Sequence, residues 1–255
     1  MINRHFNDAV RHRLINIQAA ESRTARNTKA QVPQSDFYHP DDVIAFVDLQ
    51  NLHYFLKENC RVSATQVHIP NLLRDFSRAN GMPLRDLCIF TGIHDIRREP
   101  HRHEAMANRI RWLEHCGAKV TTLPLSYYVQ RDGETKAQEK GIDVRIGSEV
   151  IRAVNNGLHR ALVITQDKDI SQAIKVAAEM AVERGFDFKA YSLVLEHTEW
   201  EHNGKCGIYG VAFTEKLPIT VDFVRNYVRD DRSHPELPSK CQSNVKDDTL
   251  LDQNQ

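Results

Sequence analysis

Three aspartates stand directly at the ends of two apolar segments of the sequence. Asp48 closes the segment VIAFVD (43–48), and Asp167 and Asp169 follow the segment ALVIT (161–165). If both segments are parallel strands of one sheet, their carboxyl ends share the edge at which open α/β sheets bind ligands. The spacing predicts that Asp48 and Asp167 face each other across a crevice at this edge.

A fourth carboxylate lies near the beginning of an apolar helical segment, residues 142–154. Side chains three or four residues apart are neighbours on the surface of a helix. Asp143 therefore shares one face of this segment with Gly147 and Val150. That face is expected to turn inward, so we expect Asp143 to point toward the core.

Carboxylates held close together raise one another's pKa and destabilise the fold unless a cation balances them. A hard divalent ion, Mg²⁺ or Mn²⁺, is the natural ligand of such a cluster. Such an ion can lower the pKa of a water and neutralise charge that builds on a phosphodiester, so no nucleophilic side chain is needed. The alternative for any single aspartate is a helix cap or a turn. Four aspartates in this arrangement favour a metal site over that alternative.

The elements that would position these residues follow the pattern of an α/β fold. Short apolar segments without polar alternation, typical of strands buried on both faces, are separated by helical segments. They are VIAFVD (43–48), LCIFTG (87–92), KVTTLPL (119–125), ALVIT (161–165) and FKAYSLVL (188–195). We predict a mostly parallel sheet in the order 3-2-1-4-5 with helices on both faces.

Two helices can be predicted in more detail from the spacing of their apolar residues. The first carries apolar residues at Ile170, Ala173, Ile174, Ala177 and Ala181 and has Gly185 where a helix C-terminus is expected. The second, residues 142–154, has apolar residues on most sides, which predicts a largely buried helix. The loop 130–139 is predicted to be polar and without regular structure.

Composition indicates one domain with appendages. The chain has 255 residues, 41% of them hydrophobic, and 34 basic residues balance 34 acidic ones. We predict a basic, partly disordered arm at 1–40, a folded α/β domain at 41–228 and a disordered tail at 229–255. The balanced charge neither supports nor excludes a nucleic-acid partner, and the oligomeric state, a homo-oligomer included, stays open.

Cysteine usage and hydropathy predict a cytoplasmic protein without membrane contact. The five cysteines include no CxxC pair, and no segment has the apolar length of a signal peptide or of a membrane span. His197, His202 and Cys206 were weighed as zinc ligands, but their spacing matches no closed tetrahedral site.

Three segments around the aspartates resemble one known family. VDLQN (47–51), KGIDV (140–144) and TQDKD (165–169) are similar, in order and spacing, to the signatures of NYN domains, and GIYG (207–210) is less specifically similar to bacterial members. The resemblance implies a PIN-like three-layer fold and metal-dependent cleavage of RNA, expected to be single-stranded. It implies catalytic and metal-binding roles for Asp48, Asp143, Asp167 and Asp169, and substrate-binding roles for Asn51, Thr165 and Lys140.

Two positions depart from the family pattern. Gln166 replaces the usual glycine before Asp167, which is expected either to tighten the turn or to narrow the cleft. Glu149 occupies the second acidic position of the helix, where it either contacts metal through water or forms surface ion pairs with Arg145 and Arg152.

An arginine-rich segment, 97–111, follows the second predicted strand and either holds phosphates or forms a solvated face. Arg109 differs from its neighbours because it falls on the apolar face of the predicted helix, and a buried arginine needs a partner. That partner is either a structural carboxylate or the active-site acids and a substrate phosphate. Tyr127 and Tyr128 either stack on bases or pack at a strand end.

Other function classes were compared with this hypothesis. A dinucleotide enzyme is excluded because no glycine-rich turn follows the first strand. A phosphotransferase with an aspartyl nucleophile lacks a clear basic residue late in the sheet. The stronger alternative is a fold that binds RNA or a protein partner without cutting.

Overall fold

The structure, a computed structural model, describes residues 37–195 and 212–229. All elements given below belong to the compact unit that begins at Tyr38. Nearly all of the predicted arm, the predicted tail from residue 230, the GIYG segment and the weighed zinc ligands His197, His202 and Cys206 lie outside the described residues.

Strands and helices alternate along most of the described chain. Their order is β1 (Val43–Asp48), α1 (Leu49–Asn59), α2 (Ile69–Ala79), β2 (Leu84–Ile93), α3 (Pro100–His115), β3 (Lys119–Pro124), β4 (Ser126–Val129), β5 (Thr135–Gln138), α4 (Ile142–Asn155), β6 (Arg160–Ile164), α5 (Ile170–Glu183), β7 (Lys189–Leu195), β8 (Thr214–Ile219) and α6 (Val221–Arg225). None of the described helices has the length and apolar character needed to cross a membrane.

The central sheet has six strands in the order β3-β2-β1-β6-β7-β8, and every neighbouring pair is parallel. The prediction of an α/β fold with a mostly parallel sheet flanked by helices is confirmed. Strand β8 was not predicted, because an edge strand keeps one side open to solvent. Its sequence TEKLPI carries two charged residues and a proline instead of a continuous apolar segment.

Strand β1 lies in the middle of the sheet and is buried over its whole length. Val43, Ala45 and Val47 belong to the core on the side of α1 and α2, while Ile44 and Phe46 belong to the core on the side of α4 and α5. This two-sided burial explains the lack of polar alternation in its sequence. It also gives the end of β1, where Asp48 lies, a fixed position.

Helices α4 and α5 pack against each other at short distance. An added Cβ at Gly147 would lie 2.8 Å from Cβ of Ala173, so a side chain larger than glycine does not fit there. The predicted apolar stripe of α5 is confirmed. The prediction that α4 is buried on most sides is wrong, because Val144 is 67% exposed and only one face meets the sheet and α5.

The segment predicted as a polar loop contains half of a β-hairpin. Strands β4 and β5 pair antiparallel, with Tyr127 opposite Ala137. The turn contains Asp132 followed by Gly133, which has a φ of 85°. Aspartate and glycine are typical of such turns because they tolerate left-handed backbone conformations. The prediction missed this hairpin because its strands are short and mostly polar.

Candidate active site

Asp48 ends β1 and is also the N-cap residue of α1. Its Oδ1 accepts a hydrogen bond of 2.9 Å from the backbone N–H of Asn51, and its Oδ2 accepts one of 2.6 Å from Asn51 Nδ2. The side chain is only 5% exposed. The cap role that was weighed as an alternative is therefore present, and the two roles are compatible because the cap fixes the direction of the carboxylate.

A chain of hydrogen bonds joins the end of β1 to the end of β6. Asn51 Nδ2 also donates to Thr165 Oγ1 at 3.1 Å, and Thr165 Oγ1 accepts from the backbone N–H of Asp167 at 3.1 Å. Asp167 Oδ1 in turn accepts from the backbone N–H of Asp169 at 2.9 Å. Asn51, which was predicted to bind substrate, thus orients the Asp48 carboxylate, and Thr165, predicted likewise, holds the backbone at Asp167.

The carboxylates of Asp48 and Asp167 influence each other electrostatically. Burial raises the pKa of Asp48, the hydrogen bonds from Asn51 partly lower it, and the charge of Asp167 raises it further. Desolvation and a nearby like charge both disfavour the ionised form. The parallel pairing of β1 with β6 places the two strand ends side by side, while the facing of the two carboxylates across a crevice stays a prediction.

Glu139 is a carboxylate of this site that the sequence analysis did not select. Its Oε1 accepts a short hydrogen bond from the backbone N–H of Gly92, at the end of β2. Burial raises the pKa of Glu139, the Gly92 bond lowers it, and the charge of Asp48 raises it. A hint was present in the sequence, because Glu139 directly precedes the KGIDV segment and Gly92 leaves space at the end of a strand.

The close approach of Glu139 depends on the glycine at position 92. A Cβ there would lie 2.8 Å from Glu139 Cγ and 2.9 Å from Oε1. Real Cβ atoms do not approach neighbours this closely, so any other residue would displace the glutamate. The end of β2 thereby holds the carboxylate of Glu139 with its backbone N–H.

Asp143 and Asp169 are placed together at a second, smaller cavity. They line a space of about 290 Å³ between the beginnings of α4 and α5. Neither lines the larger cleft described below. The structure thus links Asp169 to the site through its backbone bond to Asp167, while convergence of all four predicted carboxylates on one ion stays a prediction.

The donor set was tested for its fit to a divalent cation. Within residues 37–195 and 212–229, no three histidine, cysteine, aspartate or glutamate side chains are grouped so that they could hold a metal ion. Magnesium, however, keeps several waters and is commonly bound by one or two carboxylates together with substrate phosphates. The electrostatically coupled pair Asp48 and Asp167 fits that requirement.

Two further predicted residues have less direct relations to this site. Glu149 forms ion pairs with Arg145, at 2.8 Å, and with Arg152. Because arginines engage both of its oxygens, we leave Glu149 out of the ligand set proposed below. Lys140 is exposed and precedes Gly141, the N-cap of α4, whose φ of 78° is left-handed.

A cleft of about 610 Å³ adjoins Glu139 and the beginning of α1, directly after Asp48. Its walls come from α1, the end of β2, α3 and the β4–β5 hairpin, and Glu139 is one of its lining residues. The polar and aromatic side chains that line it include His53, Tyr54, His94, Arg102, Arg109 and Lys136. Tyr127 holds the hairpin in place. Its hydroxyl accepts a hydrogen bond of 3.0 Å from the backbone N–H of Asp95, and the guanidinium carbon of Arg98 lies over its ring, 4.9 Å from the ring centroid.

Arg109 reaches this cleft from the apolar face of α3. Its Nη2 is buried and has no hydrogen-bond partner in the part of the chain that the structure describes. Burial lowers the pKa of Arg109 to about 10. The structural carboxylate that was considered as its partner is not found among the described residues.

Comparisons with known proteins identify no function. No family model matches the chain, and no curated protein matches it. A solved structure of a protein of unknown function from Vibrio parahaemolyticus RIMD 2210633 is similar, with 16% sequence identity and a TM-score of 0.40. The match covers 61% of this chain and 83% of that chain. The site must therefore be interpreted from its own geometry.

Proposed function

We propose that this protein is a metal-dependent ribonuclease that hydrolyses phosphodiester bonds of single-stranded RNA. The observation that carries the proposal is the placement of Asp48 and Asp167 at the ends of two neighbouring parallel strands. Asn51 donates to the Asp48 carboxylate and to Thr165, whose hydroxyl accepts from the backbone N–H of Asp167. The similarity of segments 47–51, 140–144 and 165–169 to NYN signatures supports the same function.

Asp48 and Asp167 would hold a magnesium or manganese ion, with Asp143 and Asp169 as further candidate ligands. When bound, such an ion supplies a lowered pKa for the attacking water and charge neutralisation at the phosphate. The protein's own contribution is orientation. Both hydrogens of the Asn51 amide are used, one by Asp48 and one by Thr165, so the carboxylate of Asp48 is held before substrate arrives.

Glu139 is suited to accept a proton from the attacking water. Its carboxylate lines the cleft and accepts hydrogen bonds from the backbone N–H of Gly92 and from the Thr91 side chain, which fix its direction. Its raised pKa makes it a better proton acceptor than an ordinary glutamate. We therefore propose Glu139 as the general base beside the carboxylate pair.

Cleavage of end-labelled single-stranded RNA is expected only in the presence of magnesium or manganese. Water attacks phosphorus, the bond to the 3′-oxygen breaks, and the proton ends on that oxygen, so the products carry 5′-phosphate and 3′-hydroxyl ends. Electrophoresis of the products with manganese and with EDTA measures this. Cyclic phosphate ends together with full activity in EDTA would contradict the proposal.

The second candidate function is a module that binds RNA or a protein partner without cutting. It is favoured by the lack of a group of three potential metal ligands among the described residues. The same assay separates the two functions, because such a module would leave the labelled RNA uncut in the presence of manganese.

A further inference from the structure

The cleft is lined by a cation, Arg109, that has no counter-ion among the described residues. A charge buried in a protein is normally paired, since an unpaired one is costly to desolvate. Arg109 Nη2 is buried and has no described partner, yet its residue lines an open cleft of about 610 Å³. An anionic group that enters the cleft would supply the missing acceptor.

We propose that this cleft binds one segment of a single RNA strand, with a backbone phosphate on Arg109. The proposal rests on the proposed function for the identity of the strand as RNA. Guanidinium groups match phosphate oxygens with a planar fork of donors, which suits a phosphate better than a water or a carbonyl. Arg102 and Lys136, both exposed lining residues, add positive charge at the mouth of the cleft.

The position of the cleft relates this phosphate to the carboxylates. Glu139 lines the cleft, as do Leu49 and Gln50, which directly follow Asp48 in the chain, so part of the cleft wall lies next to Asp48. A strand with one phosphate on Arg109 would continue from there toward Asp48. Arg109 would therefore bind a different phosphate from the one that is hydrolysed, which makes it a substrate-positioning residue.

Size and lining favour a single strand over a duplex. The volume falls within the range of about 300–1,000 Å³ that is typical of pockets for small ligands. Duplex RNA is instead recognised across an extended surface of roughly 16 base pairs. Tyr54 is 44% exposed and lines the cleft, so its ring can stack on an unpaired base.

The test compares Arg109→Met with Arg111→Met in EDTA, where no cleavage occurs. Arg111 lies on the same helix, is exposed and does not line the cleft, so its variant controls for the loss of one positive charge. Fluorescence anisotropy with a short labelled single-stranded RNA is expected to show a loss of affinity of about 10- to 100-fold for Arg109→Met. Arg111→Met should bind nearly as the parent does.

A melting experiment without RNA gives a second readout. Methionine keeps the packing of the arginine stem and removes the unpaired charge, so Arg109→Met should melt at the temperature of the parent or above it. Parent-like affinity of Arg109→Met, or a markedly lower melting temperature, would assign Arg109 a structural role and overturn the proposal.

Binding measurements with two further ligands identify what the cleft binds. A nucleoside 5′-monophosphate and an RNA duplex should both bind the parent more weakly than the single strand. Monophosphate binding as tight as that of the strand would overturn the proposal in favour of a small-molecule site. Arg109-dependent binding without any cleavage in manganese would instead refute the nuclease proposal alone.

Discussion

Replacement of Asp48 by asparagine is expected to lower the rate of RNA cleavage by at least about 100-fold, the loss typical of removing one preorganised electrostatic group from a catalytic site. The variant should nevertheless fold and melt at the temperature of the metal-free parent or above it. Initial cleavage rates in manganese and a thermal melt in EDTA measure the two effects.

The stability expectation follows from the hydrogen bonds of Asp48. Asparagine is as good an N-cap as aspartate, so α1 keeps its cap. The Asn51 amide can rotate so that its oxygen accepts from the introduced amide and from the Thr165 hydroxyl. Thr165 Oγ1 can still accept from the backbone N–H of Asp167, so each bond of the network remains satisfied.

The stability gain should depend on pH. The pKa of Asp48 is raised in the folded protein, which means that folding favours the protonated carboxyl. This stabilisation is complete at a pH below the ordinary pKa of aspartate, and it is lost as the pH rises through the raised pKa of the folded protein. Asp48→Asn should therefore match the parent in acid and exceed it as pH approaches neutrality. Asp187→Asn, at an exposed site, is the matched control. A lower melting temperature of Asp48→Asn at every pH would mean that the carboxylate is a structural cap.

Gly92→Ala is expected to impair both folding and cleavage. The added methyl group would overlap Leu125 Cδ2 and lie 2.8 Å from Glu139 Cγ. Overpacking of this kind costs about 1–3 kcal/mol in the free energy of unfolding. Displacement of Glu139 by about 1 Å can lower the cleavage rate by about 100-fold. Urea unfolding and initial rates measure these losses.

A double variant separates the two contacts. Gly92→Ala combined with Leu125→Ala removes the overlap with the leucine and retains the one with Glu139. Stability should recover in part while cleavage stays impaired. Recovery of full cleavage would show that the position of Glu139 is unimportant for the reaction.

The central strands and the positions of two carboxylates could be predicted because they depend on neighbouring residues in the sequence. A strand buried on both faces must be apolar at every position, as β1 is, and a residue directly after such a strand must lie at the sheet edge. Asp48 and Asp167 therefore could be placed from their positions alone. The α5 stripe was predictable for the same reason, since one face of a helix repeats regularly along the chain.

Other features depend on contacts between distant segments. Glu139 joins the site through the backbone of Gly92, which is 47 residues away in the sequence. Its place directly before the KGIDV segment is the one local hint, and that hint does not reveal the contact with Gly92. Arg109 could be predicted as buried, but its lack of a described carboxylate partner depends on how α3 lies against the hairpin. Strand β8 was missed because exposed edges permit charged residues.

The most direct test of the carboxylate site is a thermal melt with increasing manganese. An ion that binds only the folded protein stabilises it by mass action, so the melting temperature of the parent should rise with manganese concentration. The rise should be much smaller for Asp48→Asn and Asp167→Asn and unchanged for Asp187→Asn. A parent melting temperature that ignores manganese, or an equal rise in all four proteins, would contradict a metal site at Asp48 and Asp167.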